Sequence, residues 1–363
     1  MTLDPVYRDL LDKANAVWGQ PEQIAVLEEL VRVADSNKDV NVAYGARRRL
    51  IKCCNSQGVP AKSIVAFSWC LAQFDKNPEL DDEWSLIWEY KVILEIIPVF
   101  AGVSREQIIG MQEDMADRLN RIGESERTAH YYRSWNFMRM GDYELAHEYQ
   151  ETYTKMPRTT VSDCTACERD RQVELLSRMK LDKQALQCAN DIMIGNMTCG
   201  EVPEFTNAHI VKSQMRLGMI EEAVERQKVG YGGVRNAQKY LGTVGDLLLV
   251  PIRVGDLDAA MTQVLRHLPW AVDTAADELR FRFYAATALF FEALARESPG
   301  PKKMRIPNEL GCWNEEERYS SSDLAGWFSQ ETQSLADQFN NRNGNQAYSN
   351  LIRDNRQLVG LEN

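Results

Sequence analysis

The chain has 363 residues, a formal net charge of −11 and a sequence pI of about 5.1. This acidic balance disfavours broad binding of a phosphate backbone, which needs a basic surface. Apolar residues make up 44% of the chain, which is ample for a folded core, and no run approaches the ~18 apolar residues of a membrane helix. The N-terminal residues show no basic stretch followed by an apolar run, so the expected location is cytoplasmic.

Apolar residues recur at helical spacing nearly throughout the chain, and almost none alternate with period two. Short breaks, each the size of a helix–turn–helix connection, interrupt these runs. The central residues of the breaks are 37–44 positions apart, namely Gly19, Gly58, Gly102, Gly141, Lys180, Gly218 and Gly255. A recurrence with this period predicts stacked copies of one helical hairpin, about seven in all. The expected fold class is therefore all-α.

The last four predicted hairpins share further residues. An arginine stands two positions before each turn residue, giving the series Arg139, Arg178, Arg216 and Arg253. Each arginine is followed seven positions later by an alanine, namely Ala146, Ala185, Ala223 or Ala260. A glycine suits the left-handed position at a helix end, and an alanine permits close contact between two helices. Because equivalent positions align along a stack, the arginines are expected to form a row on one surface.

The pattern changes after residue 297. Residues 298–322 hold several prolines and few apolar side chains, and they are predicted to form an irregular connection. Ser322 is then expected to open a helix with Leu324, Trp327 and Phe328 on one face. A stack of hairpins needs an atypical last unit to cover its open apolar face. Residues 1–297 are thus predicted to form the repeat array and residues 323–363 a C-terminal helical cap, with folding back into the groove as the alternative.

The segment that begins at Arg139, RMGDYELAHEYQETYTKMP, matches the glycine, aromatic and alanine pattern of the tetratricopeptide repeat superfamily. The chain resembles this superfamily best from about Arg127 to Pro157, although its units exceed the family length of 34 residues. It also resembles bacterial proteins of this class that carry a Cys-x-x-Cys before one repeat. The resemblance implies a right-handed α-solenoid of about seven hairpins, in which the first helix of each hairpin lines a concave groove.

In such arrays the position two before the turn usually points towards the groove, so the resemblance implies a row of guanidiniums that face a ligand. Guanidiniums can hold carboxylates or phosphates in bidentate fashion. The simpler alternative is that each cation complements the dipole of its helix end, a contribution of ~0.3–1 kcal/mol. By the same register, Tyr131, Trp135 and Met138 are expected in the groove near Arg139 as an aromatic anchor for a partner, or else in the core between repeats.

Three cysteines have a spacing that suggests a metal. Cys164 and Cys167 lie at the start of the first helix of the fifth hairpin, and Cys199 precedes the equivalent helix of the sixth. Stacking places these helix starts about 10 Å apart, so the thiols are expected to converge. Zinc takes four ligands and favours Cys-x-x-Cys, which predicts a structural zinc with His209 or Glu204 as the fourth ligand. Unligated thiols and a redox pair are the alternatives.

The sequence contains no Gly-x-Ser-x-Gly, His-Glu-x-x-His or phosphate-binding loop, and the protein is predicted not to be an enzyme. The predicted function is that of a helical-repeat scaffold or adaptor that binds a protein or peptide in its concave groove. The acidic surface suits a basic partner. The alternative function is an inhibitor or immunity protein that neutralises a basic toxin or nuclease. Nucleic acid and membrane are not expected partners.

Overall fold

The computed structural model describes residues 4–362, and within this range the chain is almost entirely helical, as predicted. None of the helices in this range is both long and apolar enough to cross a membrane. The described residues form seventeen α-helices, which are α1 (Pro5–Ala16), α2 (Glu22–Ser36), α3 (Val40–Ser56), α4 (Pro60–Lys76), α5 (Glu83–Ile96), α6 (Arg105–Arg121), α7 (Arg127–Arg139), α8 (Tyr143–Lys155), α9 (Thr165–Arg178), α10 (Asp182–Met193), α11 (Glu204–Arg216), α12 (Ile220–Val234), α13 (Leu241–Val254), α14 (Leu257–Asp273), α15 (Asp277–Glu297), α16 (Ser321–Asn343) and α17 (Ala347–Val359).

Each of the seven predicted turn residues lies between two successive helices, and the helices on its two sides pack against each other. All of these residues except Gly102 have a positive φ, between 60° at Lys180 and 82° at Gly141. Glycine adopts this backbone without strain, which explains why most turns are marked by glycine in the sequence. The repeated alanines are fully buried, namely Ala146, Ala185, Ala223 and Ala260. An all-helical chain rich in hairpins is thus confirmed, whereas the hand and the number of repeats stay predictions.

The first helices of the later hairpins also contact one another. α9 packs beside α11, α11 beside α13, and α13 beside α15. Polar side chains cross the first of these contacts. Ser177 Oγ donates a hydrogen bond to the carbonyl of His209 at 3.0 Å, and Thr206 Oγ1 donates to Asp170 at 2.6 Å. These helices form a wall. The side of this wall on which the candidate site lies is called the inner surface.

The apolar core is divided near α9, α10 and α11. One large cluster buries side chains between Ala14 and Leu175, and a second buries side chains between Ala208 and Leu361. The clusters that lie between them contain three fully buried residues each, and one of these consists of Ala166, Ile192 and Val202. Because buried apolar area is the main stabilising contribution in a folded protein, this part of the chain gains less from it than the regions on either side.

The segment after α15 differs in detail from the prediction. Residues 298–320 connect α15 to α16 and contain a two-residue antiparallel pair, β1 (Lys302–Lys303) and β2 (Arg318–Tyr319). α16 begins at Ser321, because the side chain of Ser320 accepts a hydrogen bond from the backbone N–H of Asp323 and caps the helix. The helix therefore opens one residue before Ser322. The predicted division into domains stays a prediction.

The last two helices pack on the preceding ones. α16 lies along α15, and α17 contacts α11, α13 and α15. The segment that leads into α17 also reaches the turn after α7. Asn345 Nδ2 donates to the carbonyl of Met140 at 2.8 Å, and the Tyr348 hydroxyl donates to the carbonyl of Arg139 at 3.2 Å. The C-terminal segment therefore covers the end of α7 that carries the first arginine of the row.

Candidate functional site: a charged inner surface and a thiol cluster

Arg139 and Arg178 lie at the ends of α7 and α9 and share a buried carboxylate. Arg139 Nη2 is 3.2 Å from Glu174 Oε2, and Arg178 Nη2 is 2.7 Å from Glu174 Oε1. Arg139 Nη1 also approaches Glu278 Oε1, at the start of α15, to 2.6 Å. Only 7% of Arg139 is exposed. These two guanidiniums therefore bind carboxylates, as the sequence suggested, but the carboxylates belong to the same chain.

The other two arginines of the row have different surroundings. Arg216, at the end of α11, lies 2.7 Å from Asp182 Oδ1, and it donates to the carbonyl of Ser177 at 2.8 Å. It thereby joins the sixth predicted hairpin to the fifth. Arg253, near the end of α13, is exposed and lies against Gly360 after α17. The four arginines share a register along the chain, and their burial decreases towards the C-terminal member.

The buried ion pairs set the charge state of their carboxyl groups. Burial alone would raise the pKa of Glu174, but the guanidiniums of Arg139 and Arg178 hold it well below its usual range. The same balance of burial against Arg139 lowers the pKa of Glu278. Both carboxyl groups are therefore ionised at neutral pH, and they neutralise the arginines that face them.

The three predicted aromatic and apolar anchors are buried in the isolated chain. Tyr131, Trp135 and Met138 are 4%, 4% and 2% exposed, and they belong to the N-terminal core cluster. The core alternative therefore describes their surroundings, and direct contact with a partner stays a prediction. Trp135 has a further role, because the guanidiniums of Arg139 and Arg171 lie 4.1 Å and 3.4 Å from its ring centre. Such contacts between a cation and an aromatic ring are attractive and help to hold the ring in place.

A cavity of about 350 Å³ lies on the inner surface. It is lined by residues of α3, α5, α7, α9, α11 and α13, the first helices of six predicted hairpins, and also by residues of α4 and α15. Ile96, Phe205 and Leu279 supply apolar walls. Its charged lining consists of Glu95, Arg139, Arg171, Glu201, Lys239 and Arg282. First helices of the predicted hairpins thus contribute to the cavity, whereas a concave groove of a solenoid stays a prediction.

A second cavity of about 50 Å³ lies beneath α17, and Arg178 and Arg216 contribute to its wall. His209 and Arg282 belong to the walls of both cavities. The Nε2 atom of His209 is buried without a hydrogen-bond partner, with Asp170 and Glu174 carboxylate oxygens at 3.7 Å and 3.6 Å. His209 therefore stands at the partition between the two cavities, with an unused polar atom.

The three cysteines converge at the opposite ends of α9 and α11. Cys164 Sγ and Cys167 Sγ are 3.0 Å apart, and Cys167 Sγ is 3.1 Å from Cys199 Sγ. All three sulfurs lie within 4.8 Å of one another. Sulfurs bound to one tetrahedral zinc, each at about 2.3 Å, lie roughly 3.8 Å apart. A small outward movement of the side chains would accommodate a metal, so the predicted convergence of the thiols is confirmed.

The predicted fourth ligands do not join this cluster. Among residues 4–362, no histidine or acidic side chain adds a ligand atom to the three sulfurs. His209 lies within α11 and points to Asp170 and Glu174 on the inner surface, whereas Cys199 precedes this helix. Glu204 lies against Gly233 at the end of α12. The prediction relied on distance along the sequence, but the side chains of α11 point in different directions around the helix.

The environment of Cys167 opposes its ionisation. Burial raises the pKa of the Cys167 thiol, and hydrogen bonds to the sulfurs of Cys164 and Cys199 raise it further. Cys167 is therefore protonated at neutral pH unless a cation replaces its proton. Cys164 is exposed and caps α9, its sulfur accepting a hydrogen bond from the backbone N–H of Cys167 at 3.2 Å. One member of the cluster is thus open to solvent.

Sequence reasoning did not identify the counter-ions of the inner surface. Glu174 stands four positions, one helical turn, before Arg178, and this spacing is a readable signal for an ion pair. Asp246 was also missed, although it pairs with both Lys212, at 2.6 Å, and Arg282. Asp246 stands 36 positions before Arg282, close to the repeat period. Charged residues at the repeat period therefore mark neighbouring helices.

Comparisons with protein-family models, curated proteins and solved structures give no match to this chain. The resemblance to tetratricopeptide repeats therefore depends on the repeated residues and on the helical hairpins alone.

Proposed function

We propose that the protein is a non-catalytic helical-repeat scaffold that binds a protein or peptide segment on its inner surface. The observation that carries the proposal is the cavity of about 350 Å³, which six first helices line together. A cavity of this size accommodates a few side chains of a partner. Its apolar walls and polar groups are the composition of a recognition site. A right-handed solenoid of tetratricopeptide type belongs to this proposal.

The chain offers an internal example of such recognition. α17 lies across α11, α13 and α15 and is held by the turn after α7 through the hydrogen bonds of Asn345 and Tyr348. An amphipathic helix laid into a groove is a recurring mode of peptide binding. Because α17 already covers the arginine-bearing ends, a partner would use the larger cavity, which Arg139 lines and the other three arginines of the row do not. This changes the expected binding surface from the row to the cavity.

We further infer that Cys164, Cys167 and Cys199 hold a structural zinc ion. Thiolate sulfur is a ligand that zinc favours, and these three thiols connect two hairpins where the apolar core is divided. The described chain supplies three ligands, so a small exogenous ligand would complete the set. The zinc would link the start of α9 to the segment before α11.

A peptide library tests the binding proposal. Peptides from a digested cell extract would be captured on the immobilised protein and identified by mass spectrometry. Val92→Trp places a bulky ring in the cavity wall, whereas the matched Val65→Trp changes an exposed position on α4, outside the cavity. The proposal expects peptides that bind wild type and Val65→Trp but not Val92→Trp. Capture that both variants retain equally would contradict binding in the cavity.

A further inference from the structure

The larger cavity has an open end and a buried end. Gly58 and Glu201 are partly exposed and Lys239 is exposed, and these residues mark the mouth. Trp135, Arg139 and His209 are buried and mark the floor. A molecule that enters from solvent therefore passes polar groups first and then meets the ring of Trp135.

Two polar atoms at the floor make no hydrogen bond. Arg139 uses both terminal nitrogens on carboxylates, but its Nε is buried without an acceptor. His209 Nε2 also lacks a hydrogen bond, but it faces the carboxylates of Asp170 and Glu174 and is not open to an anion. Both side chains are more than nine-tenths buried, with exposed fractions of 8% and 6%. A buried donor that lacks an acceptor costs about 1–3 kcal/mol, so a ligand that supplies an acceptor here would recover that loss.

The charges of the wall favour a negative acceptor over a neutral one. Four cationic side chains line the cavity, namely Arg139, Arg171, Lys239 and Arg282, against the two carboxylates Glu95 and Glu201. The carboxylates that balance Arg139 and Arg282, which are Glu174, Glu278 and Asp246, lie outside this lining. Within the lining, Arg171 pairs with Glu95 and Lys239 pairs with Glu201. Glu174 and Glu278 hold the terminal nitrogens of Arg139 and leave its Nε free, so an acceptor inside the cavity meets Arg139 through Nε.

The remaining walls favour an apolar or aromatic body. Ile96, Phe205 and Leu279 line the cavity between its mouth and its floor. Trp135 presents a ring held by two guanidiniums and by a hydrogen bond from its Nε1 to the carbonyl of Glu95 at 3.1 Å. A flat ring fits such walls by stacking or by edge contact.

We propose that the cavity binds an organic carboxylate with an aromatic or branched apolar body, its carboxylate directed to Arg139 Nε. This inference rests on the proposed function, because it names the chemistry that the same cavity recognises. The carboxylate has two possible sources, a free small acid and the C-terminus of a peptide. Both present the same group to the floor.

Calorimetry with matched probes tests the chemistry. Indole-3-acetate, indole-3-acetamide and tryptamine share one ring and carry a negative, a neutral and a positive end. The proposal expects saturable binding of indole-3-acetate, at least about tenfold tighter than that of the amide, with tryptamine weakest. Absence of binding below about 1 mM, or equal binding of acid and amide, overturns it. The tightest binding by tryptamine also overturns it, because Glu95 and Glu201 would then dominate.

The tripeptide Gly-Gly-Trp with a free or an amidated C-terminus separates the two sources. If the free peptide binds more tightly than indole-3-acetate, the natural ligand is the C-terminus of a peptide. If indole-3-acetate binds more tightly, the natural ligand is a small acid. Val92→Trp should abolish binding that Val65→Trp retains. If Val92→Trp does not fold, Lys239→Gln should weaken the acid at least about threefold while Lys228→Gln, at an exposed position on α12, leaves it unchanged. The probes could fail to bind while peptides are still captured in a way that depends on the cavity. That result would remove this inference and leave the proposed function in place.

Discussion

The two ends of α9 and α11 are joined in different ways. At their C-terminal ends, Arg178 pairs with Glu174 and Arg216 pairs with Asp182, so both cations have counter-ions within the chain. Arg216 also donates to the carbonyl of Ser177, which links α11 to α9. At their N-terminal ends, Cys164, Cys167 and Cys199 meet one another without a cation. Both ends gather polar groups in the part of the chain where the apolar core is divided.

The comparison shows at which of the two ends the polar groups are satisfied by the chain alone and at which they need a ligand. An ion pair satisfies both partners, whereas thiols placed 3.0–3.1 Å apart gain little from one another and would repel as thiolates. A metal would turn this unfavourable contact into a strong one, because its binding free energy adds to stability. We expect the arginine end to depend on the chain alone and the thiol end to depend on zinc.

Removing a shared counter-ion should give the largest effect. Glu174→Ala leaves the guanidiniums of Arg139 and Arg178 buried with one carboxylate fewer, and we expect a loss of about 3–5 kcal/mol in the free energy of unfolding. Urea unfolding would measure it. The control Glu225→Ala removes an exposed partner of Lys228 and should cost less than about 0.5 kcal/mol. Equal losses in the two variants would show that the buried pairs contribute nothing special.

Removing metal should have the next largest effect. A ligand present at a hundred times its dissociation constant stabilises the folded state by about 2.7 kcal/mol, so chelation should lower the unfolding temperature of zinc-loaded protein. Cys199→Ser should make the unfolding temperature insensitive to chelator. Cys188→Ser, whose thiol lies on α10 outside the cluster, should keep the response. A chelator effect of the same size in Cys199→Ser would place the metal elsewhere.

The packing of α17 against the turn after α7 can be tested by substitution of the glycine in that turn. Gly141 has φ of 82°, and an added Cβ would lie 2.2 Å from the Cβ of Ala347 in α17. Gly141→Ala should therefore cost at least about 2 kcal/mol, from backbone strain together with displacement of α17. Gly218 has φ of 77° with open space around it, so Gly218→Ala should cost about 1 kcal/mol. Equal costs measured by thermal unfolding would mean that α17 does not press on this turn.

The smallest effect should come from single members of the arginine row. Arg216→Ala leaves Asp182 without its cation and removes the link to Ser177, and we expect a loss of about 1.5 kcal/mol. Arg253→Ala changes an exposed side chain and should stay within about 0.5 kcal/mol. Chemical unfolding of both variants under one condition provides the comparison. Equal values would return all four arginines to the simple role of complementing their helix ends.

The turns were predictable from the sequence because the backbone demands a particular residue there. Gly141, Gly218 and Gly255 have positive φ, and a glycine at that position is visible without knowledge of the fold. The repeated arginines were visible for the same reason, since they stand at a fixed distance from the turn. The distant partner of Arg139 was not visible, because Glu278 lies 139 positions after Arg139 and outside the repeated register.

The thiol cluster was predictable in part. The spacing of Cys164 and Cys167 and the alignment of helix starts placed three sulfurs together. The fourth ligand could not be read from distance along the chain, because the direction of a side chain around a helix depends on packing. His209 turns towards Asp170 and Glu174 on the inner surface. Its place between two cavities depends on where α17 lies, which the repeat pattern does not contain.

The zinc content of the purified protein tests most directly whether a metal links the N-terminal ends of α9 and α11. Elemental analysis of protein purified without chelator, combined with thiol titration, would count the metal and the free sulfurs in the same sample. We predict one zinc per chain, absent from Cys199→Ser and retained in Cys188→Ser, with the thiols of Cys164, Cys167 and Cys199 protected until chelator is added. Less than about a tenth of an equivalent of zinc, with all three thiols titrating freely, would contradict the metal link between α9 and α11.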